Sequence, residues 1–351
     1  MSGHGDSRRS LASSVAGFSL VELMIALVLG LIVLAGVGSV FLANKQTYAT
    51  NEALARVQDA VRTAHAFLGN EVRVAGYGGT CAIDGLPIRV LATSPAPDPD
   101  AFGIDATAGI AALVGSVAGA GERVGSIEVP EGSSLLTVRH FPVASDTIGP
   151  LAGRLDVTNA NVQIRHNRPG FEKGDLAMIT DCVQADVFRV TNRPGSPGST
   201  TLAHASSGNA DNALSREYGR DAFVFRMDDY RSTTFFVGRN PQGGQSLYQR
   251  INDRPAIELV RGVEDMRLGY HRAGGAADYE RAVNGWSTAD WAEVDGLRLE
   301  LVLADAAGRR GVDGRRFTRE TPVLLAGRSD EHRILDPRVL LGPDQHPPLV
   351  E

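Results

Sequence analysis

The stretch that decides the fold runs from Gly17 to Ala43 and reads GFSLVELMIALVLGLIVLAGVGSVFLA. From Phe18 onward, its one ionisable side chain is Glu22. The 21 residues after this glutamate would rise about 31 Å as an α-helix, which is enough to cross the hydrocarbon core of a bilayer. We therefore predict a membrane-spanning helix near the N-terminus.

The residues before this stretch determine its expected orientation. Residues 1–17 are polar and carry Arg8 and Arg9 against one acid, Asp6. Because positively charged flanks tend to stay in the cytoplasm, the N-terminus is expected inside and the body outside. Two ordinary alternatives stay open at this point. A secretory signal would be cut after its apolar core, for which residues 36–38 offer a small-residue site, and a plain anchor would stay uncut.

The helical pattern continues beyond the apolar segment. Between positions 54 and 75, apolar residues recur at spacings of three and four among charged ones, which predicts an amphipathic helix packed on a folded domain. Glycines at 76, 78 and 79 are expected to end it. The prediction is one helix from Phe18 to Ala75, 58 residues and about 87 Å long, spanning the membrane at 18–43 and amphipathic at 44–75.

The rest of the chain is predicted to be mainly β-structure. Residues 294–303 alternate leucine with polar residues over much of their length, the period expected of a strand with one buried face. A short helix is predicted at 106–118. Strands are predicted at 134–141, 175–180, 186–191, 223–227, 233–238, 245–251, 257–271 and 294–303. The expected fold class is therefore α+β, with the long helix packed on a β-rich head at 76–335 and a proline-rich tail at 336–351.

Charge and cysteine content restrict the possible functions and environment. The chain has 351 residues and a net charge of −6, and its body has no block of basic residues, so a nucleic-acid-binding role is not expected. Cys81 and Cys182 lie 101 positions apart, too far for a C-x-x-C redox or zinc motif. If the body lies outside the cytoplasm, a disulfide is the natural interpretation. Two unpaired buried thiols are the alternative.

The sequence contains no motif that predicts catalysis. Its eight histidines are scattered, with no HExxH pair and no Gly-x-Ser-x-Gly motif. The acids at 98/100 and at 228/229 could ligate calcium, but solvated loop acids are the more ordinary interpretation. Trp286 and Trp291 are expected to pack in the structure rather than to form a sugar-binding platform. We expect no enzymatic activity, no cofactor and no metal.

The order of residues around Gly17 resembles the class III signal of type IV prepilins. A glycine stands directly before the apolar run, followed by an aromatic residue and, four residues later, by Glu22. The resemblance implies cleavage between Gly17 and Phe18 by prepilin peptidase, with 1–17 as the leader peptide. It also implies N-methylation of Phe18 and retention of the helix in the mature protein. In that family the glutamate is thought to pair with a neighbouring subunit's N-terminal amine during assembly. The alternative interpretation of Glu22 is that its carboxylate extends to the cytoplasmic membrane interface and has no partner subunit.

Three further blocks resemble PilW-type minor pilins. Residues 67–81 read FLGNEVRVAGYGGTC, like the end of the long helix in that family. The second block comprises residues 235–237 and 246–250 followed by ELVRGVEDMRLGY at 258–270, and it resembles the family's run of a strand, a Gly-Val-Glu element and another strand. The third, WAEVDGLRLEL at 291–301, resembles the family's final Trp-x-x-Val strand. The matching parts cover residues 17–81 and 223–303 well and 171–190 loosely. One departure is Ser39, where many major pilins have proline; there Gly36, Gly38 and Ser39 would either loosen the helix or allow close helix packing.

This resemblance implies a role in type IV pilus assembly, in a tip or priming complex with other minor pilins. The implied partners are those pilins, the major pilin, prepilin peptidase and the inner-membrane assembly machinery. The implied location is the inner membrane with a periplasmic head, and later the pilus at the cell surface. Three alternatives stay open: a minor pseudopilin of a type II secretion system, a tip adhesin, and a membrane-anchored periplasmic enzyme. Twitching motility and cell adhesion are the associated processes.

Overall fold

The computed structural model describes residues 19–79, 81–93, 102, 104–105, 109–142, 145–195, 198–273, 279–281, 285–303 and 315–322. At 50, 53, 54, 81, 105, 145 and 315–322 it describes the backbone alone. The predicted leader at 1–17, Phe18, the acids at 98/100 and the tail at 336–351 lie outside the described residues. The chain divides into two units, Met1–Arg56 and Val57–Glu351.

A single long helix, α1, covers Leu20–Arg73 and therefore contributes residues to both units. Its 54 residues follow the predicted run, and the helix ends two residues before the expected Ala75. Gly76 stops it by adopting φ +72, a conformation that glycine reaches at little cost. The helix continues without a break through Gly36 and Ser39, where loosening was one of the two expectations. The Ser39 hydroxyl donates to the Gly36 carbonyl at 2.8 Å.

The second unit is rich in β-structure. The described strands between α1 and residue 128 have two to five residues, and strands of two to ten residues follow. The strands are β1 Tyr77–Gly78, β2 Cys81–Ala82, β3 Ile88–Val90, β4 Ile104–Asp105, β5 Gly109–Ile110, β6 Leu113–Val117, β7 Arg123–Val124, β8 Ile127–Glu128, β9 Ser134–His140, β10 Ile148–Pro150, β11 Asn161–Ile164, β12 Leu176–Thr180, β13 Ala185–Arg189, β14 Thr200–Ala203, β15 Phe223–Arg226, β16 Arg231–Arg239, β17 Gln245–Ile251, β18 Ile257–Arg261, β19 Val263–Arg272, β20 Glu280–Arg281, β21 Val294–Leu303 and β22 Arg315–Pro322. A short helix, α2, covers Thr288–Trp291, and 3-10 turns lie at Ser145–Thr147 and Met227–Asp229.

Three larger sheets organise these strands. The first, which we call the helix-side sheet, is antiparallel and has the order β18-β17-β16-β9-β6. A four-stranded sheet has the order β20-β19-β21-β22. The third, with the order β10-β15-β12-β13-β3, contains one parallel pair, β13 with β3. Two-stranded ribbons pair β1 with β2, β4 with β5, β7 with β8, and β11 with β14.

The C-terminal part of α1 packs into the largest apolar cluster. Ala64, Leu68 and Val72 are buried on one face of the helix, together with Leu136 of the helix-side sheet and Leu299 of the four-stranded sheet. The expected amphipathic stripe is therefore a packing surface, as its spacing predicts. An apolar N-terminal helix followed by a β-rich globular unit gives an α+β layout, as expected.

Two sequence-based assignments are wrong. The helix expected at 106–118 is contradicted at its described residues, 109–118, where Gly109–Ile110 and Leu113–Val117 are strands. Val114 and Val117 are β-branched residues that suit a sheet. The strand expected at 257–271 is two strands. Gly262 adopts φ +77 and separates β18, in the helix-side sheet, from β19, in the four-stranded sheet.

Candidate functional site

The start of α1 places Glu22 in the first turn of the helix. The Leu23 amide donates to the Ser19 carbonyl at 3.1 Å, and this hydrogen bond forms the first helical turn, which contains Glu22. Glu22 is exposed. A negative charge at this position interacts favourably with the positive end of the helix dipole. The carboxylate is thus available to an outside partner, while the predicted processing residues Gly17 and Phe18 lie outside the described part of the chain.

The apolar surface of α1 faces solvent on all sides in its first half. Large apolar side chains from Leu20 to Leu42 are 55–74 % exposed. Within Leu20–Ala49, an 18-residue stretch reaches a mean hydropathy of 2.8, and the segment is long enough to span a membrane. Burying apolar surface is the main favourable term in folding and association, so this segment requires lipid or other helices around it.

Small residues interrupt this apolar surface. A methyl group added at Gly30, Gly36 or Gly38 would meet nothing within 4 Å. Among the described residues, no neighbouring atom therefore requires glycine at these positions. Small residues on a membrane helix allow another helix to approach closely. Close helix packing is one of the two roles expected for these residues, and loosening of the helix is the other.

A partly buried polar contact joins α1 to the helix-side sheet. Oε1 of Glu71 accepts a hydrogen bond from the Thr233 hydroxyl at 2.6 Å and lies 3.2 Å from Nε2 of His140. The other ring nitrogen of His140 lies 2.7 Å from the Phe141 carbonyl oxygen. Burial acts to raise the pKa of Glu71, but its contacts with His140 and Thr233 and the charge of Arg231 outweigh burial and lower it. The sequence analysis missed this contact, because its members are up to 162 residues apart.

A further carboxylate, Asp186, was also not identified from the sequence. It is fully buried on β13, and its Oδ2 accepts hydrogen bonds from the Ser215 amide, the Ser215 hydroxyl and the Tyr218 hydroxyl at 2.9, 2.6 and 2.8 Å. Burial, together with this carboxylate, raises the pKa of Tyr218 above its ordinary value. These bonds attach the segment around 215–218 to β13. Its one sequence signal is an acid at the first position of the strand predicted at 186–191.

The two cysteines occupy different local settings. Cys182 lies in the turn between β12 and β13 with φ +69, and its amide donates to the Thr180 hydroxyl at 3.1 Å. The side chain packs at the border of an apolar cluster that contains Met178 and Phe225. Cys81 begins β2, where its backbone pairs with Gly78. A disulfide between Cys81 and Cys182 stays a prediction.

The remaining candidate residues have packing or ion-pair roles. Trp291 is buried and contacts the Tyr270 ring edge-on at 4.9 Å, and Trp286 lies 4.7 Å from Trp291 between ring centroids. Asp229 pairs with Arg226 at 3.1 Å. Within the described residues, no group of three or more histidine, cysteine or acidic side chains is arranged to hold a metal ion.

The features of the N-terminal segment define a class: a chain with a prepilin-type signal and a single N-terminal span that anchors it in a membrane. A family model described as the prokaryotic N-terminal methylation motif matches residues 13–38. No curated protein sequence matches the chain. The motif supports a type IV pilin-like protein, and it implies processing by prepilin peptidase and contact with a membrane assembly system.

Proposed function

We propose that this protein is a minor pilin of the PilW type that takes part in type IV pilus assembly. One observation carries the proposal: the methylation motif at 13–38 leads directly into a helix whose large apolar side chains are exposed from Leu20 to Leu42. Such a surface fits two successive environments. It would be covered by lipid before assembly and by the helices of other pilins after it.

The proposed mechanism is assembly rather than catalysis. Prepilin peptidase would cut between Gly17 and Phe18, and methylation would follow on the new amine of Phe18. Glu22 would then pair with the N-terminal amine of a neighbouring subunit. An α-amino group has a reference pKa of about 7.7–8.0, so it is largely protonated at neutral pH and can serve as the counter-charge. The open position of Glu22 in the first helical turn supports this role.

The proposed topology has the N-terminus in the cytoplasm and the β-rich unit in the periplasm. Arg8 and Arg9 support it through the positive-inside tendency. An oxidising periplasm would allow the predicted Cys81–Cys182 disulfide, which would close a loop of about 100 residues. We place the protein in a tip or priming complex with other minor pilins, in contact with the major pilin, on the basis of the sequence resemblance alone.

Deletion of the gene in its native host tests the proposal against its nearest alternative. A minor pilin predicts fewer surface pili and impaired twitching motility, both restored by the intact gene, with exoprotein secretion unchanged. Normal pili and motility with blocked exoprotein release would contradict a pilus role and favour a type II secretion pseudopilin. Normal pili with lost attachment would contradict an assembly role and favour an adhesin.

A further inference from the structure

A polar cavity lies on the face of the helix-side sheet that points away from α1. Along β9 and β16, Val138 and Phe235 point toward the helix and belong to its apolar cluster. Their neighbours Thr137, Arg139 and Thr234 point to the opposite face, as strand alternation requires, and line a cavity of about 520 Å³. Pockets for small ligands commonly have volumes of roughly 300–1,000 Å³, so this cavity has room for one or two sugar units.

Three guanidinium groups converge on this cavity from different elements. Arg139 comes from β9, Arg250 from β17, and Arg254 from the turn that follows β17. The Arg139 Nη1 donates to the Ala111 carbonyl at 3.0 Å, while its Nε has no acceptor among the described residues. The Nε of Arg250 donates to the Arg254 carbonyl at 3.3 Å. These bonds hold two of the cationic groups in place beside the cavity.

The turn that carries Arg254 is itself fixed. Asn252 adopts φ +49, and its Oδ1 accepts from the Ser232 amide at 2.8 Å while its Nδ2 donates to the Tyr230 carbonyl at 2.9 Å. Two hydrogen bonds thus tie the turn to the start of β16. The neighbouring Asp253 pairs with Arg250 at 3.5 Å, whereas Arg254 is exposed and forms no ion pair within the described residues. Its charge is therefore available to a ligand in a site whose backbone is already ordered.

Hydroxyl groups and carboxylates complete the lining. The hydroxyls of Thr137 and Thr234 lie 2.9 Å apart, so one donates to the other and the second proton remains available. Asp228 and Asp253 are exposed and border the same cavity, where Asp253 pairs with Arg250 at 3.5 Å, so three arginines stand against two carboxylates. Phe102 adds an aromatic side chain. The cavity thus offers guanidinium donors, carboxylate and hydroxyl acceptors and one aromatic ring, and not only positively charged groups.

We propose that this cavity binds a saccharide unit that carries a carboxylate, such as a hexuronic acid. Three guanidinium groups against two carboxylates leave the lining cationic, which suits a carboxylate ligand, and arginine recognises carboxylates well. Asp228, Asp253 and the threonine hydroxyls would bond to sugar hydroxyls, and Phe102 would contact the apolar face of the ring. A bare phosphate would use the guanidinium groups but would face two carboxylates, which disfavours it. This inference does not depend on the proposed role in pilus assembly.

Calorimetric titration of the full-length protein in detergent micelles tests this site. The probe is digalacturonic acid, compared with maltose as a neutral disaccharide and with inorganic phosphate as a small anion. We expect binding of digalacturonic acid, none of maltose, and weaker binding of phosphate. No binding of digalacturonic acid, equal binding of maltose, or tighter binding of phosphate would overturn the proposal.

Substitutions locate the binding. Arg254→Gln removes an exposed charge that holds no structural ion pair among the described residues, so this variant should fold normally. We expect it to weaken digalacturonic acid binding at least tenfold, and Arg139→Gln to do the same. The matched control is Arg239→Gln, an arginine of the same sheet that lines a different cavity. Loss of affinity in the control equal to that in Arg254→Gln would show that net charge alone matters and would overturn the site.

Discussion

Nε2 of His140 lies 3.2 Å from Oε1 of Glu71, so the last strand residue of β9 meets the last turn of α1. Both ring nitrogens of His140 face oxygen atoms, since Nδ1 lies 2.7 Å from the Phe141 carbonyl. With Glu71 ionised, its carboxylate oxygen can only accept, and the Thr233 hydroxyl donates to it at 2.6 Å. The contact is therefore a charge-assisted link between the helix and the sheet on which it packs.

Replacing Glu71 with glutamine should destabilise the second unit. The Glu71→Gln side chain keeps its size but loses the charge that His140 and Thr233 face, and weakening a partly buried hydrogen bond to a charged group costs about 1–3 kcal/mol. Denaturant unfolding of the full-length protein in detergent measures the change. The control is Glu52→Gln, which removes an exposed i,i+4 pair with Arg56 and should change stability by less than about 0.5 kcal/mol. Equal effects of the two variants would contradict a special role for Glu71.

The same contact predicts how stability changes in acid. Because the pKa of Glu71 is lowered in the folded protein, its contribution to stability is complete above the unfolded value of about 4.3. That contribution is lost as the pH falls through the lower, folded pKa. We expect the stability difference between wild type and Glu71→Gln to shrink as the pH falls from 6 to 3. A difference that stays constant over this range would show that Glu71 does not titrate in this contact.

Gly115 should not tolerate a side chain. A Cβ at this position in β6 would overlap the hydroxyl of Tyr270, which is buried in β19 of another sheet. Gly115→Ala should therefore lower the free energy of unfolding by about 1–3 kcal/mol through overpacking. Gly69→Ala is the matched control, since a Cβ there meets nothing within 4 Å and alanine favours the helix. Thermal unfolding measures the stability of both variants. A Gly115→Ala variant as stable as the control would contradict the packing argument.

Glu22 should be required for incorporation into filaments but not for membrane insertion. We expect Glu22→Gln to lower the amount of protein in sheared surface filaments at least tenfold, because the neutral amide cannot pair with a neighbouring amine. Its level in the membrane should be unchanged. Immunoblots of both fractions measure this, with Glu52→Gln as the control on the same helix. Normal incorporation of Glu22→Gln would exclude the proposed pairing.

The predicted disulfide has a direct chemical test. Peptide mapping of the protein, alkylated without reduction, should show a linked Cys81–Cys182 peptide that separates only after reduction. A bond closing a loop of this length would stabilise the fold by up to about 4.7 kcal/mol in the chain-entropy model. Alkylation of both cysteines without reduction would show that the thiols are unpaired.

Elements with a clear period were predicted from the sequence, and elements that depend on distant partners were not. Helix α1 and strand β21 follow their apolar repeats closely. The sequence around Gly262 reads as one strand, because the composition continues while the chain changes sheets at a single glycine. The contact of Glu71 with His140 joins residues 69 positions apart, which no local pattern reveals. The N-terminal signal was predictable because its residues are contiguous, and the matching family model covers it.

The mature N-terminus tests the central claim most directly. Mass spectrometry of the N-terminal peptide should be carried out on protein from strains with and without prepilin peptidase. We predict a mature chain that begins at Phe18 with one added methyl group, found only when the peptidase is present. A start near Ser39, or an uncut chain in both strains, would contradict the proposal that this helix is processed as a pilin and retained for assembly.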